Sequence, residues 1–440
     1  MNISDLQISS LIDKENTRQQ SSVTLIPSEN HTSKDVLAAL ATTFSDKYAE
    51  GYPGRRYYAG NSVADELETL VQNRAKALFS VPYVNVQPYS GSPANLAILF
   101  SIAKQGDTIL GLDYSHGGHL THGYAKSATG SFWKGVQYHL KPDGYIDLDE
   151  VRTLAKQHKP RVIICGGTAV PRAIPFKAFS EIADEVGALL LADISHIAGL
   201  VVGGAHESPV PYADIVMTTT HKTLRGPRGA MIMVTDRGLA KDPEMGSKID
   251  KAVIPGLQGG PHLNTIAGIG VALYEAAQPS FKDYAKNVVK NAKTLADALI
   301  GRGFSLVSGG TDNHLILIDL TPTGVARGTL YHETLETVGI ITNRNTIPND
   351  PSSPFYPSGL RIGSPAATTR GMSNEEMKRI ANWIADVGEH IRDVQVPGDK
   401  EARKAVLDSF RATLASDSYY KTLHADVKAM CETFPVPGVV

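Results

Sequence analysis

The chain has 440 residues, and 42% of them are hydrophobic, which is ordinary for a soluble globular protein. Its 43 lysines and arginines nearly balance its 45 aspartates and glutamates, so neither a nucleic acid nor an anionic membrane surface is expected as its main partner. Its two cysteines, Cys165 and Cys431, exclude a disulfide framework and a thiolate zinc site and are typical of a reducing cytoplasm.

The N-terminal part of the chain is predicted to begin with a polar, amphipathic helix at residues 3–19. No basic patch precedes an apolar stretch there, so no signal peptide is expected. The chain then shows no clear periodicity through Tyr58, and residues 63–79 have apolar positions at helical spacing. We assign residues 1–24 to a separate N-terminal helical segment.

From about residue 90, short apolar runs alternate with helical stretches. The runs predicted as buried strands are 108–112, 162–165, 188–192, 215–218 and 230–234. The predicted helix 175–186 has a proline in its first turn and ends before Gly187, a residue type that often stops helices. Alternating strands and helices indicate a mainly parallel sheet that is covered on both faces. The most apolar segment, 186–202, contains Asp193 and His196, so no membrane span is expected.

A second, smaller α+β unit is predicted toward the C-terminus. A long helix at 280–302 leads into it and is followed by Gly303. Its predicted strands are 314–320 and 360–363, and its predicted helices are 375–392 and 400–414. We therefore expect a large α/β domain at 25–280 and a small α+β domain at 281–440.

Two charged residues stand at the ends of predicted buried strands. Asp193 follows the strand 188–192, and Lys222 follows the strand 215–218 within Thr-Thr-Thr-His-Lys-Thr-Leu-Arg-Gly-Pro. A partly desolvated lysine has a lowered pKa and can form a Schiff base, and an aspartate can keep a pyridine nitrogen protonated. Because ligands bind beyond the carboxyl ends of strands in open α/β sheets, the pair indicates a pyridoxal phosphate site. The alternatives are a solvated loop around Lys222 and a helix N-cap at Asp193.

Two further stretches suggest how such a cofactor is held. Ser90-Gly91-Ser92-Pro93-Ala94-Asn95 opens an apolar helix, whose first N–H groups and positive dipole end suit a phosphate; an ordinary helix cap is the alternative. His116, His119 and His122 recur at a spacing of three, which suits either a metal site or one ring stacked on a planar cofactor. The glycine pair that begins at Gly117 argues against a rigid helical set of metal ligands.

Three other features have a composition typical of binding sites. The loop 48–58 is rich in aromatic and charged residues and is broken by glycine and proline, so it is either a binding loop or an interface loop. Residues 256–261 form a further glycine-rich segment. Arg361 lies in the predicted strand 360–363, where its guanidinium could bind a substrate carboxylate bidentately or form a surface ion pair.

Taken together, these stretches resemble the serine hydroxymethyltransferase family of fold-type I pyridoxal phosphate enzymes. The resemblance runs from Leu25 to about Arg392 and so covers most of the chain. The matching motifs are Tyr48-Ala49-Glu50-Gly51-Tyr52-Pro53-Gly54, Ser90-Gly91-Ser92, Gly117-Gly118-His119-Leu120-Thr121-His122-Gly123, Asp193-Ile194-Ser195-His196, Thr220-His221-Lys222-Thr223-Leu224, Gln258-Gly259-Gly260-Pro261 and Ser308-Gly309-Gly310-Thr311-Asp312-Asn313-His314. The resemblance implies an α/β fold with a mainly parallel seven-stranded sheet in the large domain and a smaller α+β C-terminal domain.

The resemblance also implies which residues hold pyridoxal 5'-phosphate. Lys222 would form the Schiff base, Asp193 would pair with the pyridinium nitrogen, and His119 would stack on the ring. The other cofactor-binding residues that it implies are Ser90, Gly91, Ser92, Thr168, His196, Thr219, His221, Tyr48, Gly259 and Gly260. The last two would come from a neighbouring subunit.

For the substrates, the resemblance implies that Arg361 and Ser28 bind the amino acid carboxylate. Glu50 of the neighbouring subunit would handle a proton of the substrate hydroxyl or of the folate. The other implied substrate-binding residues are Tyr48, Tyr58 and His196, and the implied folate-binding residues are Glu50, Tyr57, Tyr114, Gly118, Leu120 and Asn345. The implied catalytic residues are Lys222, Glu50, Tyr58, His119, His196, Asp193 and Arg361.

The activity implied by the resemblance is the reversible interconversion of serine and glycine in the cytoplasm. Tetrahydrofolate would be the co-substrate that accepts the hydroxymethyl carbon. Active sites shared between subunits imply a homodimer, or a tetramer built from such dimers. The resemblance implies no metal, no nucleic acid and no membrane as partner.

Several residues depart from the family pattern. Tyr114 and Ile254, both in the pterin region, stand where leucine and phenylalanine are common, which leaves a folate-independent threonine aldolase or transaldolase as an alternative. Val170, Ser195 and Met217 stand where tyrosine, alanine and threonine are usual. Alternatives of other classes are a metal hydrolase built on the three histidines and a non-catalytic binding protein.

Overall fold

The computed structural model describes residues 3–439. The chain forms two compact units, one of residues Thr32–Lys286 and one that combines the residues up to His31 with those from Asn287 onward. The larger unit is α/β and the smaller is α+β. Each unit has its own hydrophobic core.

The helices account for most of the regular structure. They are α1 (Leu6–Ser21), α2 (Lys34–Leu40), α3 (Ser62–Phe79), α4 (Gly91–Ile102), α5 (Ala128–Phe132), α6 (Leu148–His158), α7 (Phe176–Val186), α8 (Ala198–Val202), α9 (Asp236–Lys241), α10 (Met245–Lys251), α11 (Leu263–Ala276), α12 (Pro279–Gly301), α13 (Gly328–Thr337), α14 (Pro365–Thr369), α15 (Asn374–His390), α16 (Lys400–Ser416) and α17 (Ser418–Glu432). Within residues 3–439, none of them combines the length and the apolar character needed to cross a membrane.

The strands are short and belong to four sheets. They are β1 (Val23–Thr24), β2 (Gly51–Tyr52), β3 (Arg55–Arg56), β4 (Tyr83–Asn85), β5 (Thr108–Leu112), β6 (Lys134–Tyr138), β7 (Val162–Cys165), β8 (Leu189–Asp193), β9 (Ile215–Thr219), β10 (Ala230–Val234), β11 (Ser305–Leu306), β12 (Leu315–Asp319), β13 (Ile340–Ile341), β14 (Asn343–Asn345) and β15 (Gly359–Gly363). The strands predicted in the larger unit lie within one residue of β5, β7, β8, β9 and β10.

The larger unit is built on a seven-stranded sheet of order β4-β10-β9-β8-β7-β5-β6. The neighbours from β9 to β6 are parallel, and only β10 runs antiparallel to the strands beside it. The predicted mainly parallel seven-stranded sheet is therefore confirmed. The edge strand β6 is absent from the prediction because it is partly exposed and lacks the continuous apolar run of the central strands.

The central strands are buried because helices cover the sheet. The side chains of β7, β8, β9 and β10 are buried throughout, and Ile98 and Leu99 of α4 pack into the same core. Helix α7 ends where predicted, at Gly187, whose φ of 70° is the left-handed conformation that glycine adopts without strain. Because the strands from β9 to β6 are parallel, their carboxyl ends lie together at one edge of the sheet.

The smaller unit contains a four-stranded antiparallel sheet of order β11-β12-β15-β14. Its N-terminal arm differs from the predicted separate segment 1–24, because β1 pairs in parallel with β13. Arg370 also binds the arm, donating hydrogen bonds to the carbonyl oxygens of Gln20 and Ser22. These contacts place the N-terminal residues up to His31 in the smaller unit, whereas the sequence predicts that the large domain begins at residue 25.

Candidate active site

A cleft of about 290 Å³ opens at the carboxyl ends of β7, β8 and β9. The residues that line it are Gly91, His119, His122, Gly167, Thr168, Asp193, Ser195, His196, Met217, Thr219 and Lys222. They come from strand ends, loops and the start of α4, which are far apart in sequence and meet because parallel strands end at the same edge of the sheet. The predicted cofactor residues His119, Thr168, Asp193, His196, Thr219 and Lys222 are thus brought together around one cavity.

Asp193, the last residue of β8, is only 8% exposed and still accepts three hydrogen bonds. Its Oδ2 accepts from Asn95 Nδ2 and pairs with His122 Nε2, both at 3.0 Å, and its Oδ1 accepts from the Ser195 N–H at 3.1 Å. Burial by itself raises the pKa of Asp193, but the bond from His122 and the nearby histidines outweigh burial and lower that pKa below its usual value. The cleft therefore contains a fixed carboxylate anion.

His119 and His122 have different roles around this carboxylate. The backbone N–H of His119 donates to His122 Nδ1 at 3.4 Å. Because Nδ1 is then an acceptor, the proton of the neutral His122 ring is on Nε2, which donates to Asp193. His119 Nδ1 accepts from the Thr121 N–H at 3.2 Å. Burial, with contributions from His122 and the Lys222 ammonium, lowers the pKa of His119 to about 4. His119 is therefore a neutral aromatic ring at neutral pH.

Lys222 lies three residues beyond the end of β9 and reaches the same cleft. The chain turns sharply after it, with the Arg225 N–H bonded to the Lys222 carbonyl at 3.1 Å and the Gly226 N–H to the Thr220 carbonyl at 2.8 Å. This turn is the glycine- and proline-rich stretch recognised in the sequence. A lysine held in such a cleft with a fixed carboxylate is suited to forming a Schiff base with a carbonyl ligand.

The start of α4 provides a place for a phosphate. The side chain of its N-cap residue, Ser90, makes no capping hydrogen bond, so the first N–H groups of the helix are open to a ligand. A Cβ on Gly91 would lie 2.8 Å from Thr219 Cγ2, so a larger residue there would push the Thr219 side chain away. His221 Nδ1 is buried without a hydrogen-bond partner among the described residues, and burial lowers the pKa of His221 to about 3. These groups, with Asp193 and Lys222, fit pyridoxal phosphate.

A second group of predicted site residues lies elsewhere in the larger unit. Glu50 Oε1 is 3.1 Å from the position of a Cβ on Gly259, and the charge of Glu50 raises the pKa of the Tyr48 hydroxyl that it binds. The Tyr48 and Tyr58 rings meet edge to face, with centroids 4.8 Å apart. Gly260 belongs to the same group, since a Cβ on it would lie 3.6 Å from Tyr48 Cζ. The described residues that line the Lys222 cleft include none of them.

A buried arginine holds the backbone on both sides of Glu50. Arg56 Nη1 donates to the carbonyl oxygens of Ala49 and Gly51, each at 2.9 Å. Its Nη2 donates to Glu68 Oε2 at 2.7 Å, and both side chains are almost fully buried, at 3% and 0% exposed. Burial raises the pKa of Glu68, while the Arg56 charge pulls it down. Arg56 is therefore a positioning residue for the Glu50 loop.

Replacing Arg56 with methionine is expected to lower the free energy of unfolding by about 3–5 kcal/mol, because Glu68 loses its buried partner. Urea unfolding of the full chain measures this loss. Arg152→Met is the matched control, since Arg152 pairs with Glu185 at the surface and should cost far less. Equal losses in the two variants would contradict the role assigned to the buried pair.

The predicted residues Ser28, Asn345 and Arg361 lie in the smaller unit. Arg361 is half-buried in the middle of β15, and its Nε donates to Asn343 Oδ1 at 3.0 Å on the neighbouring strand β14. Asn345, also on β14, donates to the Thr346 carbonyl at 2.7 Å. Their predicted roles in binding the substrate carboxylate and folate stay predictions.

The predicted folate-binding residues of the larger unit are mostly exposed. Tyr57 is 75% exposed, Leu120 44% and Tyr114 40%. The Tyr114 ring faces that of Tyr124, with centroids 5.1 Å apart. Gly118 packs against the backbone of Leu112 too closely for any Cβ. The exposed rings of Tyr57 and Tyr114 are open to a large planar ligand, and the assignment of these residues to folate stays a prediction.

The sequence reasoning missed the residues that support Asp193 from behind. Asn95 is fully buried in α4, and a polar residue in such an apolar helix is the pattern that could have indicated it. In the sequence, His122 stands out as one of three evenly spaced histidines and as part of a family motif, and neither pattern indicates its bond to Asp193. The three histidines have different partners, since His116 Nδ1 accepts from the Leu140 N–H at 3.1 Å. Among residues 3–439, no group of three or more histidine, cysteine or acidic side chains is arranged to hold a metal ion.

Comparisons with known proteins agree with the geometry of the cleft. Residues 1–384 match the model of the serine hydroxymethyltransferase family. A serine hydroxymethyltransferase of Acidothermus cellulolyticus is 52% identical over 436 residues, which cover 99% of this chain and 96% of the relative. One of Sorangium cellulosum is 50% identical over 440 residues, covering 100% and 97%, and one of Desulfotalea psychrophila is 48% identical over 435 residues, covering 99% and 95%.

Proposed function

This chain belongs to the serine hydroxymethyltransferase family, and from that premise we propose that it interconverts serine and glycine reversibly, with transfer of the hydroxymethyl carbon to tetrahydrofolate. Its seven-stranded α/β sheet is the architecture of the fold-type I enzymes to which that family belongs. The observation that carries the proposal is the presence of Asp193, as a fixed anion, and Lys222 in one cleft at the carboxyl edge of the sheet.

Pyridoxal phosphate, when bound, supplies an electron sink for the charge that develops on the substrate's α-carbon. Lys222 would hold it covalently, and Asp193 would keep a proton on its ring nitrogen. The neutral His119 ring would lie against it, because an uncharged imidazole can stack on the ring without competing for that proton. The residues that would bind its phosphate and flanking atoms are Ser90, Gly91, Ser92, Thr168, His196, Thr219, His221 and Tyr48.

For the amino acid, Arg361 and Ser28 would bind the carboxylate, because a guanidinium holds two carboxylate oxygens at once. Glu50 would move the proton of the substrate hydroxyl, with Tyr48 and Tyr58 beside it. His196, which is 5% exposed in the cleft, would contact the substrate. The residues that would hold tetrahydrofolate are Glu50, Tyr57, Tyr114, Gly118, Leu120 and Asn345.

We also propose that the enzyme is a homodimer, or a tetramer built from such dimers, with active sites shared between subunits. Glu50, Gly259 and Gly260 are not among the residues that line the Lys222 cleft of their own chain. This supports the proposal, because a neighbouring chain would then supply these three residues to the cleft. The two cysteines are buried and free, which suits the reducing cytoplasm that we propose as its location.

The test is the visible spectrum of the cofactor-loaded enzyme, first with glycine and then with tetrahydrofolate added. We expect a strong new long-wavelength band only when both are present, because folate completes the ternary complex in which the substrate's α-carbon exchanges its proton. Borohydride should fix the cofactor on Lys222. An unchanged spectrum on adding folate, together with folate-independent cleavage of threonine, would instead support the aldolase alternative.

A further inference from the structure

The ladder of hydrogen bonds between β8 and β9 ends at the floor of the cleft. The last regular bond runs from the Ile194 N–H to the Met217 carbonyl at 2.9 Å. In a parallel ladder the next bond would run from the Thr219 N–H back to the Ile194 carbonyl. That carbonyl instead accepts from the Ile197 N–H at 2.9 Å, because the chain turns after Asp193. The Thr219 N–H is thus left without its regular backbone partner.

The hydroxyl of Ser195 takes the place of the missing carbonyl. Its Oγ accepts the Thr219 N–H at 3.1 Å, and Ser195 and Thr219 are only 7% and 6% exposed. The Ser195 hydroxyl proton lies toward Met217 Sδ, 3.7 Å from Oγ, a weak acceptor. A buried backbone N–H is costly to leave unpaired, so this side chain decides how the end of β9 is held.

Ser195 also contacts the other side of the site. Its N–H donates to Asp193 Oδ1 at 3.1 Å, and its carbonyl lies 3.4 Å from Thr219 Oγ1. One residue therefore joins the carboxylate at the end of β8 to the strand end that leads to Lys222. We propose that the Ser195 hydroxyl is a positioning group that sets the placement of Lys222 relative to Asp193, and through it the environment of the bound cofactor.

This proposal rests on the proposed function, since it assumes that Lys222 and Asp193 hold opposite sides of the same cofactor. Alanine at position 195 would keep the Cβ and the backbone bond to Asp193 but would remove the acceptor for the Thr219 N–H. The end of β9 would then have to shift or recruit a water molecule. Because Lys222 lies three residues beyond this strand end, the shift acts on the group that would bear the cofactor. The bond from Arg361 to Asn343 lies between β14 and β15 and does not involve this strand end.

The test compares Ser195→Ala with Ser180→Ala in the full-length, cofactor-loaded enzyme. Ser180 is the matched control because its hydroxyl, also buried in the larger unit, donates to the Tyr212 carbonyl at 3.0 Å away from the cleft. In Ser195→Ala we expect the cofactor Kd to increase by about fivefold or more. We expect kcat to decrease by a similar factor, which is the scale of one lost hydrogen bond. The KM for serine should stay within about twofold of the wild-type value.

The pH dependence of the cofactor's visible band separates a positioning role from a merely structural one. We expect its midpoint to move in Ser195→Ala and to stay in place in Ser180→Ala, even where both variants lose thermal stability. If the wild-type enzyme binds the cofactor normally and Ser195→Ala has the same midpoint, cofactor Kd and kcat, this proposal is overturned while the proposed function stands. A wild-type protein that takes up no pyridoxal phosphate would overturn the proposed function and this proposal with it.

Discussion

Replacing Lys222 with glutamine is expected to abolish multiple turnover, with kcat for serine cleavage falling by at least about 10³-fold, the scale of losing a covalent anchor that also transfers protons. Glutamine keeps much of the side-chain length but has no amine with which to hold the cofactor or release the product. The measurement is the steady-state rate of formation of the folate-bound one-carbon unit, alongside the amount of cofactor that borohydride fixes on the protein.

Lys156→Gln is the matched control for this variant. Lys156 lies at the surface of the same unit, where it pairs with Glu185, and its removal should leave both measurements at wild-type values. If Lys222→Gln sustained wild-type turnover, the covalent role assigned to Lys222 would be wrong. Loss of folding is a separate outcome, and the thermal unfolding curve of the variant distinguishes it from loss of chemistry.

Replacing Asp193 with asparagine is expected to lower kcat by roughly 10²–10⁴-fold, as for loss of a positioned group that controls a proton. An amide cannot keep a proton on the cofactor's ring nitrogen. Asparagine also fits the site poorly, because Asp193 accepts from His122 and Asn95 on one oxygen and from the Ser195 N–H on the other. Whichever way the amide turns, its NH2 group faces a donor.

The measurements for Asp193→Asn are kcat for serine cleavage and the pH dependence of the cofactor's visible band. Because the pKa of Asp193 lies below its usual value, the wild-type carboxylate stays charged through the working pH range, and no acid limb of the wild-type profile should belong to it. Asp184→Asn, at a half-exposed surface carboxylate paired with Arg237, is the control and should retain activity. Wild-type kcat in Asp193→Asn would contradict the ring-nitrogen role.

The two central residues could be found without a structure because of where they stand. Asp193 and Lys222 each follow an apolar run long enough for one buried strand, and ligands bind beyond the carboxyl ends of strands in open α/β sheets. Thr219, which ends β9, is a candidate only through the family resemblance. The glycine-rich start of α4 was indicated by composition, and the structure explains it through the close approach of Gly91 to Thr219.

The supporting contacts could not be predicted, because each depends on two segments that are distant in sequence. Asn95 and His122 meet Asp193 only when α4 and the loop after β5 pack against the end of β8. In the sequence Arg56 is only one charge in the loop 48–58, yet in the structure it holds the backbone around Glu50 and pairs with Glu68. No periodicity in one segment carries information about such pairs.

The boundary between the two units illustrates the same limit. From the sequence, residues 1–24 read as a separate helix and residue 25 as the start of the large domain. In the structure, the arm up to His31 belongs to the smaller unit, and the two residues of β1 pair in parallel with those of β13, more than 300 residues later. A two-residue pairing has no sequence pattern of its own, so only the folded chain can reveal it.

The sequence by itself determined the α/β class, the approximate bounds of five buried strands and the two charged residues at the ends of two of them. It could do so because burial imposes patterns on contiguous segments, and a charge at the end of such a segment stands out. The tertiary structure decided which side chains lower the pKa of Asp193, which hydroxyl accepts the Thr219 N–H, and which unit holds the N-terminal arm. Those outcomes depend on distances between segments, and the chain sets such distances only by folding.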